Sequence, residues 1–344
     1  MADEIVVAVT GVSGFLGQRL LPLLDASPTV GRIIGLDIHD PARRARKLDF
    51  HRIDVLSTDI TVYLRDISAI VHLAAAPGPL RDDALFTRVN AEGTRRMLAA
   101  ATEAGVKKIV RPSSTAVYGA WANNPVPLTE EAALRPSPAY LPAIVDGECE
   151  RMLAEWGSAR PGRTATRLRI APIVGPGASS LLSAIACGRT PLRVRGATPP
   201  VQVVHVDDAA AALELATSID LDGAYNVAAD GWLAFEDAAA LVPRRRVPPL
   251  PMQLVSRVLA VSWTTGLGDA PPSVLPYVVH PFVVANDRLK GAGWKPQHSN
   301  EEALLLASEA PDGSLVPLLA GAGAVAAGAV LGGWWLTRRS RRRS

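Results

Sequence analysis

Short apolar runs alternate with stretches of helical spacing through the first half of the chain. The run from Ile5 to Thr10 is typical of a buried strand, and leucines from Leu16 to Leu24 predict a helix starting near Phe15. Further strands are predicted at 32–37, ending around 52–55, at 69–76 and from 108 onwards, with a helix near 91–104. Strands that alternate with helices form parallel sheets with right-handed crossovers, so the predicted class is α/β with a doubly wound parallel sheet.

Three glycines occupy the turn between the first strand and the first helix. Gly11 allows a tight turn, Gly14 keeps no side chain between a pyrophosphate and the backbone, and Gly17 allows close helix packing. The spacing G-x-x-G-x-x-G differs from the usual G-x-G-x-x-G, and a tight turn without a ligand is the alternative. The position directly after a strand favours a dinucleotide site, in which the first N–H groups of the helix hold phosphate.

Asp37 ends the second predicted strand, 20 residues after Gly17. An acid at this spacing accepts hydrogen bonds from the adenosine ribose and repels a 2′-phosphate, so NAD is favoured over NADP. Arg43 and Arg44 follow closely and keep NADP open, and a strand-end cap is the alternative role for Asp37. Asp54 is a candidate for the adenine amino group, or else an ordinary loop aspartate.

Composition narrows the class of protein. The 344 residues suffice for one large or two modest domains. The formal charge of +3 depends on five arginines in the last seven residues, because 36 basic residues less these five leave 31 against 33 acidic ones. No basic face for nucleic acid is therefore expected. Two cysteines make no disulfide framework, and the acidic start Met1–Glu4 does not resemble an export signal, which predicts a cytoplasmic body.

Several motifs, taken in order, resemble the extended short-chain dehydrogenase/reductases, which include NAD-dependent sugar epimerases, dehydratases and hydroxysteroid dehydrogenases. The motifs are the glycine turn with Asp37, His72-Leu73-Ala74-Ala75, Asn90, residues 113–119, 167–177, 204–210, 224–227 and 293–296. The resemblance implies a Rossmann-type sheet with a smaller, interleaved C-terminal substrate region. It divides the chain into a NAD-binding domain at 1–172 and a substrate-binding region at 173–308, some segments of which return to the sheet. A homodimer through helices near 91–104 and 143–156 is also implied.

The same resemblance implies NAD as cofactor and a small-molecule substrate. It gives the following cofactor-binding candidates: Gly11, Gly14, Phe15, Leu16, Gly17, Asp37, Asp54, Val55, Leu73, Ala74, Ala75, Asn90, Ser113 and Tyr140. The six histidines are scattered without the spacing of metal ligands, so no metal site is expected.

The family transfers hydride with a serine, a tyrosine, and a lysine four residues after the tyrosine. By motif, Ser114 takes the serine position and Tyr140 the tyrosine position, with local structural roles as the alternatives. Ile144 stands where the lysine belongs, and no lysine lies between residues 110 and 289. The lysine lowers the tyrosine pKa from about 10 and holds the nicotinamide ribose, so its absence puts ordinary turnover in doubt.

Three hypotheses follow from these residues. The first is an NAD-dependent oxidoreductase or epimerase, and the second is an NAD-binding protein with a structural or sensing role. The third is a membrane-tethered interaction module, which requires that the glycine turn binds no nucleotide. Apolar stretches at 181–185, 252–259 and 273–279 favour a lipid-like, steroid-like or isoprenoid substrate over a nucleotide sugar; ordinary core helices are the alternative.

The end of the chain predicts membrane attachment. After a linker at 309–314, residues 315–336 form an uncharged run of 22 residues, which is long enough to cross a bilayer. Two tryptophans end this run and a basic tail follows at 337–344, as at membrane interfaces. A transmembrane helix and a helix on the membrane surface both remain open, and a packed apolar helix or a loose tail is the alternative. A surface helix reconciles the arginines with a cytoplasmic body.

Overall fold

The structure is a computed structural model that describes residues 4–187, 193–242 and 248–309. The predicted apolar run 315–336, the basic tail 337–344 and all of the predicted linker after residue 309 lie outside these ranges. Within the three ranges, no helix has both the length and the apolar character needed to cross a membrane.

Parallel strands form the centre of the molecule. The strands in the described ranges are β1 (Ile5–Thr10), β2 (Val30–Asp37), β3 (Leu48–Arg52), β4 (Ala69–His72), β5 (Lys108–Ser114), β6 (Thr164–Ile170), β7 (Ile173–Val174), β8 (Val204–His205) and β9 (Gly223–Val227). Seven of these strands form one parallel sheet in the order β3-β2-β1-β4-β5-β6-β9, while β7 pairs with β8. This order confirms the predicted α/β class with a Rossmann-type parallel sheet.

Helices connect the strands and cover the sheet. Those in the described ranges are α1 (Phe15–Ala26), α2 (Asp83–Thr87), α3 (Gly93–Glu103), α4 (Leu141–Ser158), α5 (Leu181–Ala186), α6 (Val206–Ser218), α7 (Phe235–Leu241), α8 (Met252–Thr265), α9 (Leu275–Val279), α10 (Asp287–Gly291) and α11 (Asn300–Glu309). The wide turn Arg88–Glu92 joins α2 to α3.

Each face of the sheet buries its own hydrophobic core. On one face, Val9 of β1 packs in a cluster with Leu20 of α1 and Leu213 of α6. The other face carries a second cluster, in which α3 contributes Met97 and α4 contributes Leu153. Because side chains alternate between the two faces of a strand and both faces are covered, the central strands β1, β2 and β4 are largely apolar. Strand β9 and helix α6 come from the second half of the chain and complete this arrangement.

The sheet order reverses between β1 and β4. Chain connections leave β1 towards β2 on one side and β4 towards β5 on the other, which opens a crevice at the carboxyl ends of these strands. The glycine turn lies at this point, directly after β1. Strand β3 ends at Arg52, within the predicted range 52–55, and Asp54 Oδ1 accepts the Leu56 N–H at 2.8 Å in the turn that follows.

Candidate active site

The glycine turn is shaped by contacts that exclude a side chain. Gly11 has a φ of +72°, and a Cβ on it would lie 2.6 Å from the Ala74 backbone nitrogen. A Cβ on Gly17 would lie 2.4 Å from the Val12 carbonyl oxygen. Gly14 differs, because a Cβ there would meet only the Gly11 carbonyl oxygen, at 3.1 Å. Two of the glycines therefore fit backbone against backbone, and the exposed middle one leaves a cradle open above it.

Helix α1 begins directly at this cradle. Gly14 is its N-cap, and no side-chain cap hydrogen bond is formed there among the residues that the structure describes. The first N–H groups of a helix, among them those of Phe15 and Leu16, have no partner inside the helix, and the helix dipole adds partial positive charge there. The turn is therefore suited to bind a phosphate group.

Asp37 lies beside the same turn. Its Oδ2 accepts the Ser13 N–H at 2.9 Å and its Oδ1 accepts the His39 N–H at 3.0 Å. These two bonds fix the half-buried carboxylate next to the glycine turn, and each oxygen keeps a second acceptor position for a ribose hydroxyl. The strand-end cap and the ribose-binding role are thus compatible.

The remaining candidates for the adenosine half lie nearby but differ in position. Arg43 and Arg44 are exposed and line a cavity of about 320 Å³ against α1, together with Gln18. Asp54 is exposed and uses Oδ1 to close its own turn, and Val55 beside it is half-buried. The geometry of Asp54 is that of a loop aspartate with one oxygen already committed.

The loop after β4 is tied to the end of β1. The Leu73 N–H donates to the Thr10 carbonyl at 2.9 Å, and the Ala74 N–H donates to Thr10 Oγ1 at 3.3 Å. His72 is buried, with Nδ1 2.7 Å from Thr10 Oγ1. Its pKa is lowered to about 3, mainly by burial and to a smaller extent by the positive charge of Arg111. His72 is therefore a neutral, structural residue near pH 7.

Asn90 holds the next part of this loop. Its Oδ1 accepts the Ala76 N–H at 3.1 Å, and its amide nitrogen donates to the Phe86 carbonyl at 3.0 Å. Asn90 is buried, whereas Ala75 is exposed at the loop surface. Asn90 therefore shapes the loop through its backbone contacts rather than by presenting a free amide.

Strand β5 delivers two serines to the edge of the crevice. Ser114 Oγ accepts the Ala116 N–H at 3.1 Å and caps the short helical turn Thr115–Tyr118. This is the local role foreseen as its alternative, and it leaves the hydroxyl proton of Ser114 for another acceptor. Ser113 Oγ is buried and has no hydrogen-bond partner among the described residues.

Tyr140 is the N-cap residue of α4, directly before Leu141. It is almost completely buried, with 3% of its surface exposed. Its ring lies 5.0 Å from the ring of Tyr277, measured between centroids. Burial raises the pKa of Tyr140 far above its usual value, and the charges of Tyr277 and Asp146 raise it further. The half-buried Ile144 brings no charge, so the hydroxyl stays protonated at neutral pH.

The lysines that the structure shows bonded lie at other places in the fold. Their Nζ atoms contact Ser27 O (Lys47, 2.7 Å), Thr217 O (Lys108, 2.9 Å) and Asp230 Oδ1 (Lys290, 2.9 Å). None of the groups that shift the pKa of Tyr140 is a cation. Among the groups that shift the pKa of Tyr140, no ammonium group therefore takes the place of the lysine that is missing at position 144.

The three apolar stretches predicted to line the site meet around Tyr140. One cluster contains Tyr140 together with Leu181 of α5, Leu259 of α8 and Leu275 of α9. Segments that lie far apart in the sequence therefore form one apolar wall beside the tyrosine. In the described part of the chain, no three histidine, cysteine or acidic side chains are grouped as a metal site would require.

Two buried ion pairs under α4 escaped the sequence interpretation. Arg111 Nη2 lies 3.0 Å from Asp146 Oδ1, and Arg169 Nη2 lies 2.8 Å from Glu150 Oε2. Tyr118 joins the second pair by accepting a 2.8 Å bond from Arg169 Nη1. The available signal was an arginine within each of two predicted strands, Arg111 in β5 and Arg169 in β6, together with two acids four residues apart on α4.

The parallel sheet, the glycine cradle at its reversal point and the acid at the end of β2 define a dinucleotide-binding protein of the Rossmann type. The chain belongs to the NAD-dependent epimerase/dehydratase family, whose model matches residues 7–228. Membership confirms the family and the cofactor class predicted from the motifs.

Individual relatives agree with this family. A Mycobacterium tuberculosis protein described only as uncharacterised is 31% identical over 254 residues, which is 71% of this chain and 67% of the relative. A 3-diazoavenalumate denitrifying reductase from a Streptomyces species is 29% identical over 319 residues, covering 85% of this chain and 96% of the reductase. The Thermus thermophilus UDP-glucose 4-epimerase, solved with NAD, shares the fold with a TM-score of 0.68 at 22% identity, over 90% of this chain and 100% of that one.

Proposed function

We propose that the chain binds NAD in the crevice at the glycine turn and catalyses hydride transfer, with the reduction of a carbonyl as its favoured direction. The observation that carries this proposal is the buried, uncharged Tyr140 in a chain that also has a dinucleotide cradle. The finer assignments of residues below belong to the same proposal.

The cradle fits a dinucleotide on three points. Gly11 and Gly17 fix the shape of the turn because neither has room for a Cβ, and Gly14 leaves the backbone open to a pyrophosphate. The N–H groups at the start of α1 are free to bind it, and Asp37 is fixed where it accepts ribose hydroxyls. Asp54 and Val55 are assigned to the adenine end, and Leu73, Ala74, Ala75, Asn90 and Ser113 to the wall of the crevice. When bound, the nicotinamide supplies the hydride.

Tyr140 is suited to give a proton rather than to take one. As hydride adds to a carbonyl carbon, the C=O π bond breaks and the oxygen becomes an alkoxide, which is a stronger base than a phenolate. Tyr140 donates its hydroxyl proton to that oxygen, Ser114 donates a hydrogen bond to it, and water then reprotonates Tyr140. In the oxidative direction the raised pKa leaves almost no phenolate to act as base.

The apolar wall around Tyr140 supports a hydrophobic substrate. The cluster formed by α5, α8 and α9 is made of aliphatic and aromatic side chains, which bind a hydrocarbon framework better than a sugar. A ketone on a lipid-like or polyketide-like ring is the class proposed. The full-length likeness to a reductase also favours reduction, whereas the fold likeness to UDP-glucose 4-epimerase keeps nucleotide sugars as the competing class.

A second candidate function has a specific observation in its favour. Ile144 replaces the lysine whose charge activates the tyrosine in the family, while the cradle for the dinucleotide is intact. A protein with these features would bind NAD for structure or sensing and turn over little. The two functions predict the same binding of NAD but different turnover of a substrate.

The test combines binding with turnover. NADH fluorescence titration measures binding, and the loss of NADH absorbance at 340 nm measures reduction of a panel containing apolar cyclic ketones and UDP-4-keto sugars. We expect NADH binding, and reduction of an apolar ketone that Tyr140→Phe abolishes without weakening NADH binding. Binding without reduction of any ketone would favour the second function, and no binding at millimolar NADH would refute both.

Attachment of a cytoplasmic body to the membrane through residues 315–336 stays a prediction of the sequence, as does a homodimer. The full chain is expected to float with vesicles that contain anionic lipid in a density gradient. Protein that remains at the bottom of the gradient would show that the predicted attachment is wrong. Light scattering of the purified chain measures the number of subunits.

A further inference from the structure

Tyr277 of α9 contacts the segment that presents Ser114. Its hydroxyl donates to the Ala116 carbonyl oxygen at 2.8 Å, and this bond is buried. The same oxygen accepts the Gly119 N–H at 2.9 Å, and the Ala116 N–H donates to Ser114 Oγ. Tyr277 is thus bonded to the residue that orients the Ser114 hydroxyl.

The ring of Tyr277 contacts the second catalytic candidate. Its centroid lies 5.0 Å from that of Tyr140, at 52° between the planes, and both tyrosines are 3% exposed. On its other side the Tyr277 ring meets Phe282 edge-on, at 5.3 Å and 87°. Aromatic contacts of this geometry contribute beyond their buried area, so the Tyr140 ring is held from one side.

Ser137 brings a third polar group to this place. The Tyr140 N–H donates to the Ser137 carbonyl at 2.9 Å, which fixes the start of α4. Ser137 is 3% exposed, and its buried hydroxyl has no partner in good hydrogen-bond geometry among the described residues. Burial raises the pKa of Tyr277, and the nearby hydroxyl and N–H of Ser137 partly oppose that rise. One tyrosine hydroxyl is therefore close to both segments that carry the catalytic candidates.

We propose that Tyr277 is a positioning residue that sets the geometry of Ser114 and Tyr140 towards each other. The inference rests on the proposed function, since it concerns the same site. In the family the lysine contacts the cofactor beside the tyrosine, but Ile144 offers no such polar contact here. The orientation of Tyr140 must then come from packing, and Tyr277 is the residue that packs on it while bonded to the Ser114 turn.

The test uses the full chain labelled with 3-fluorotyrosine. The chain has five tyrosines, so five fluorine resonances are expected, and the Tyr140→Phe variant identifies the one from Tyr140. Tyr277→Phe keeps the ring and removes the hydroxyl, with its bond to Ala116 and its contact with Ser137. We expect this variant to shift or broaden the Tyr140 resonance and to lower turnover at least tenfold, with the NADH dissociation constant changed less than twofold.

Tyr225→Phe is the matched control. Tyr225 is also buried, but it lies in β9 with its ring against the guanidinium of Arg288 from α10. It should leave the Tyr140 resonance and turnover unchanged. An unchanged Tyr140 resonance in Tyr277→Phe, or an equal effect of Tyr225→Phe, would overturn the proposal. If Tyr277→Phe does not fold, Phe282→Leu takes its place, because Phe282 packs against the Tyr277 ring. The same change in the Tyr140 resonance is then expected. The fluorine signal does not depend on turnover, so failure of the proposed function alone would still leave Tyr277 tested.

Discussion

In the proposed function, a single tyrosine sets the direction of hydride transfer that the site favours. Tyr140 is buried beside Tyr277 and Asp146, and all three influences favour its neutral form. A phenol that keeps its proton can still donate it to a forming alkoxide, but it is a poor base for removing a proton from an alcohol. The proposed preference for reduction therefore depends on the absence of a positive charge at position 144.

Restoring that charge should improve oxidation. In Ile144→Lys, an ammonium one helical turn after Tyr140 lowers the pKa of the hydroxyl, and each unit of decrease raises the phenolate fraction about tenfold. We expect NAD-dependent oxidation of the alcohol product at pH 7 to rise at least about tenfold, and its pH profile to move to lower pH. Ile144→Met is the uncharged control, and an equal gain in that variant would contradict the explanation.

Asp37 should set both the affinity for NAD and the discrimination against NADP. Asp37→Asn removes a charged acceptor, and hydrogen bonds to charged groups contribute about 1.5–3 kcal/mol, so NADH affinity should fall by about ten- to a hundredfold. NADPH should lose much less, because the 2′-phosphate no longer meets a negative charge. Fluorescence titration with both nucleotides measures the ratio, and Asp40→Asn, which changes an exposed surface pair, is the control. Equal losses for both nucleotides would show that Asp37 does not read the ribose.

At the scale of elements, α4 is fastened to β5 and β6 by charge as well as by apolar packing. The Arg169–Glu150 pair is nearly inaccessible, with 7% and 3% of the side chains exposed. Three hydrogen bonds link the two groups, and their geometry compensates for the loss of hydration. The pair anchors the middle of the helix whose first residue follows Tyr140.

Breaking this pair should unfold the protein more readily. Arg169→Met leaves Glu150 buried without its partner, and the free energy of unfolding should fall by about 3–5 kcal/mol. Urea denaturation measures the change. The exposed pair of Arg151 with Glu155 provides the control, since Arg151→Met should cost less than about 1 kcal/mol. Similar losses in the two variants would mean that Arg169 contributes no more than a surface residue.

The contact of α1 with the glycine turn is sensitive to the size of the side chain at position 17. Gly17→Ala would place a Cβ 2.4 Å from the Val12 carbonyl oxygen, so the helix must move. We expect a loss of about 1–3 kcal/mol in stability and at least a tenfold loss in NADH affinity. Gly147→Ala in α4 meets no atom within 4 Å and should be neutral or stabilising by up to about 1 kcal/mol. Unchanged NADH binding in Gly17→Ala would argue against a cradle at this turn.

At the scale of the whole molecule, the buried His72 ties stability to pH. Its pKa is lowered from an ordinary 6.5 to about 3, mainly by burial and to a smaller extent by the positive charge of Arg111. The folded state therefore excludes a proton that the unfolded chain binds below pH 6.5, and stability decreases as the pH falls through this range.

The size of this effect can be measured directly. Between pH 7 and pH 5 the linkage through His72 amounts to about 2 kcal/mol of unfolding free energy. His72→Asn should lose stability at pH 7 with its bond to Thr10, but its further loss on going to pH 5 should be about 2 kcal/mol smaller than in the wild type. Denaturation at both pH values tests this, with the exposed His39→Gln as control. An unchanged pH dependence in His72→Asn would show that other groups are responsible.

The sequence by itself determined the parts of this protein that depend on neighbours in the chain. A strand, three spaced glycines, a helix and an acid 20 residues later specify the cradle, because each contact there involves a local turn or a repeated strand–helix unit. The end of β3 at Arg52 also lies within the range predicted from the sequence, because the turn at Asp54 is a local feature.

Only the tertiary structure decided the environment of Tyr140. The contact with Tyr277, the apolar wall from α5, α8 and α9, and the arginine–acid pairs beneath α4 join residues far apart in sequence. Periodicity showed that these segments bury an apolar face, but not which segment each face meets. The pKa of a side chain follows from that burial and from the charges that folding brings near it, which no spacing along the chain records.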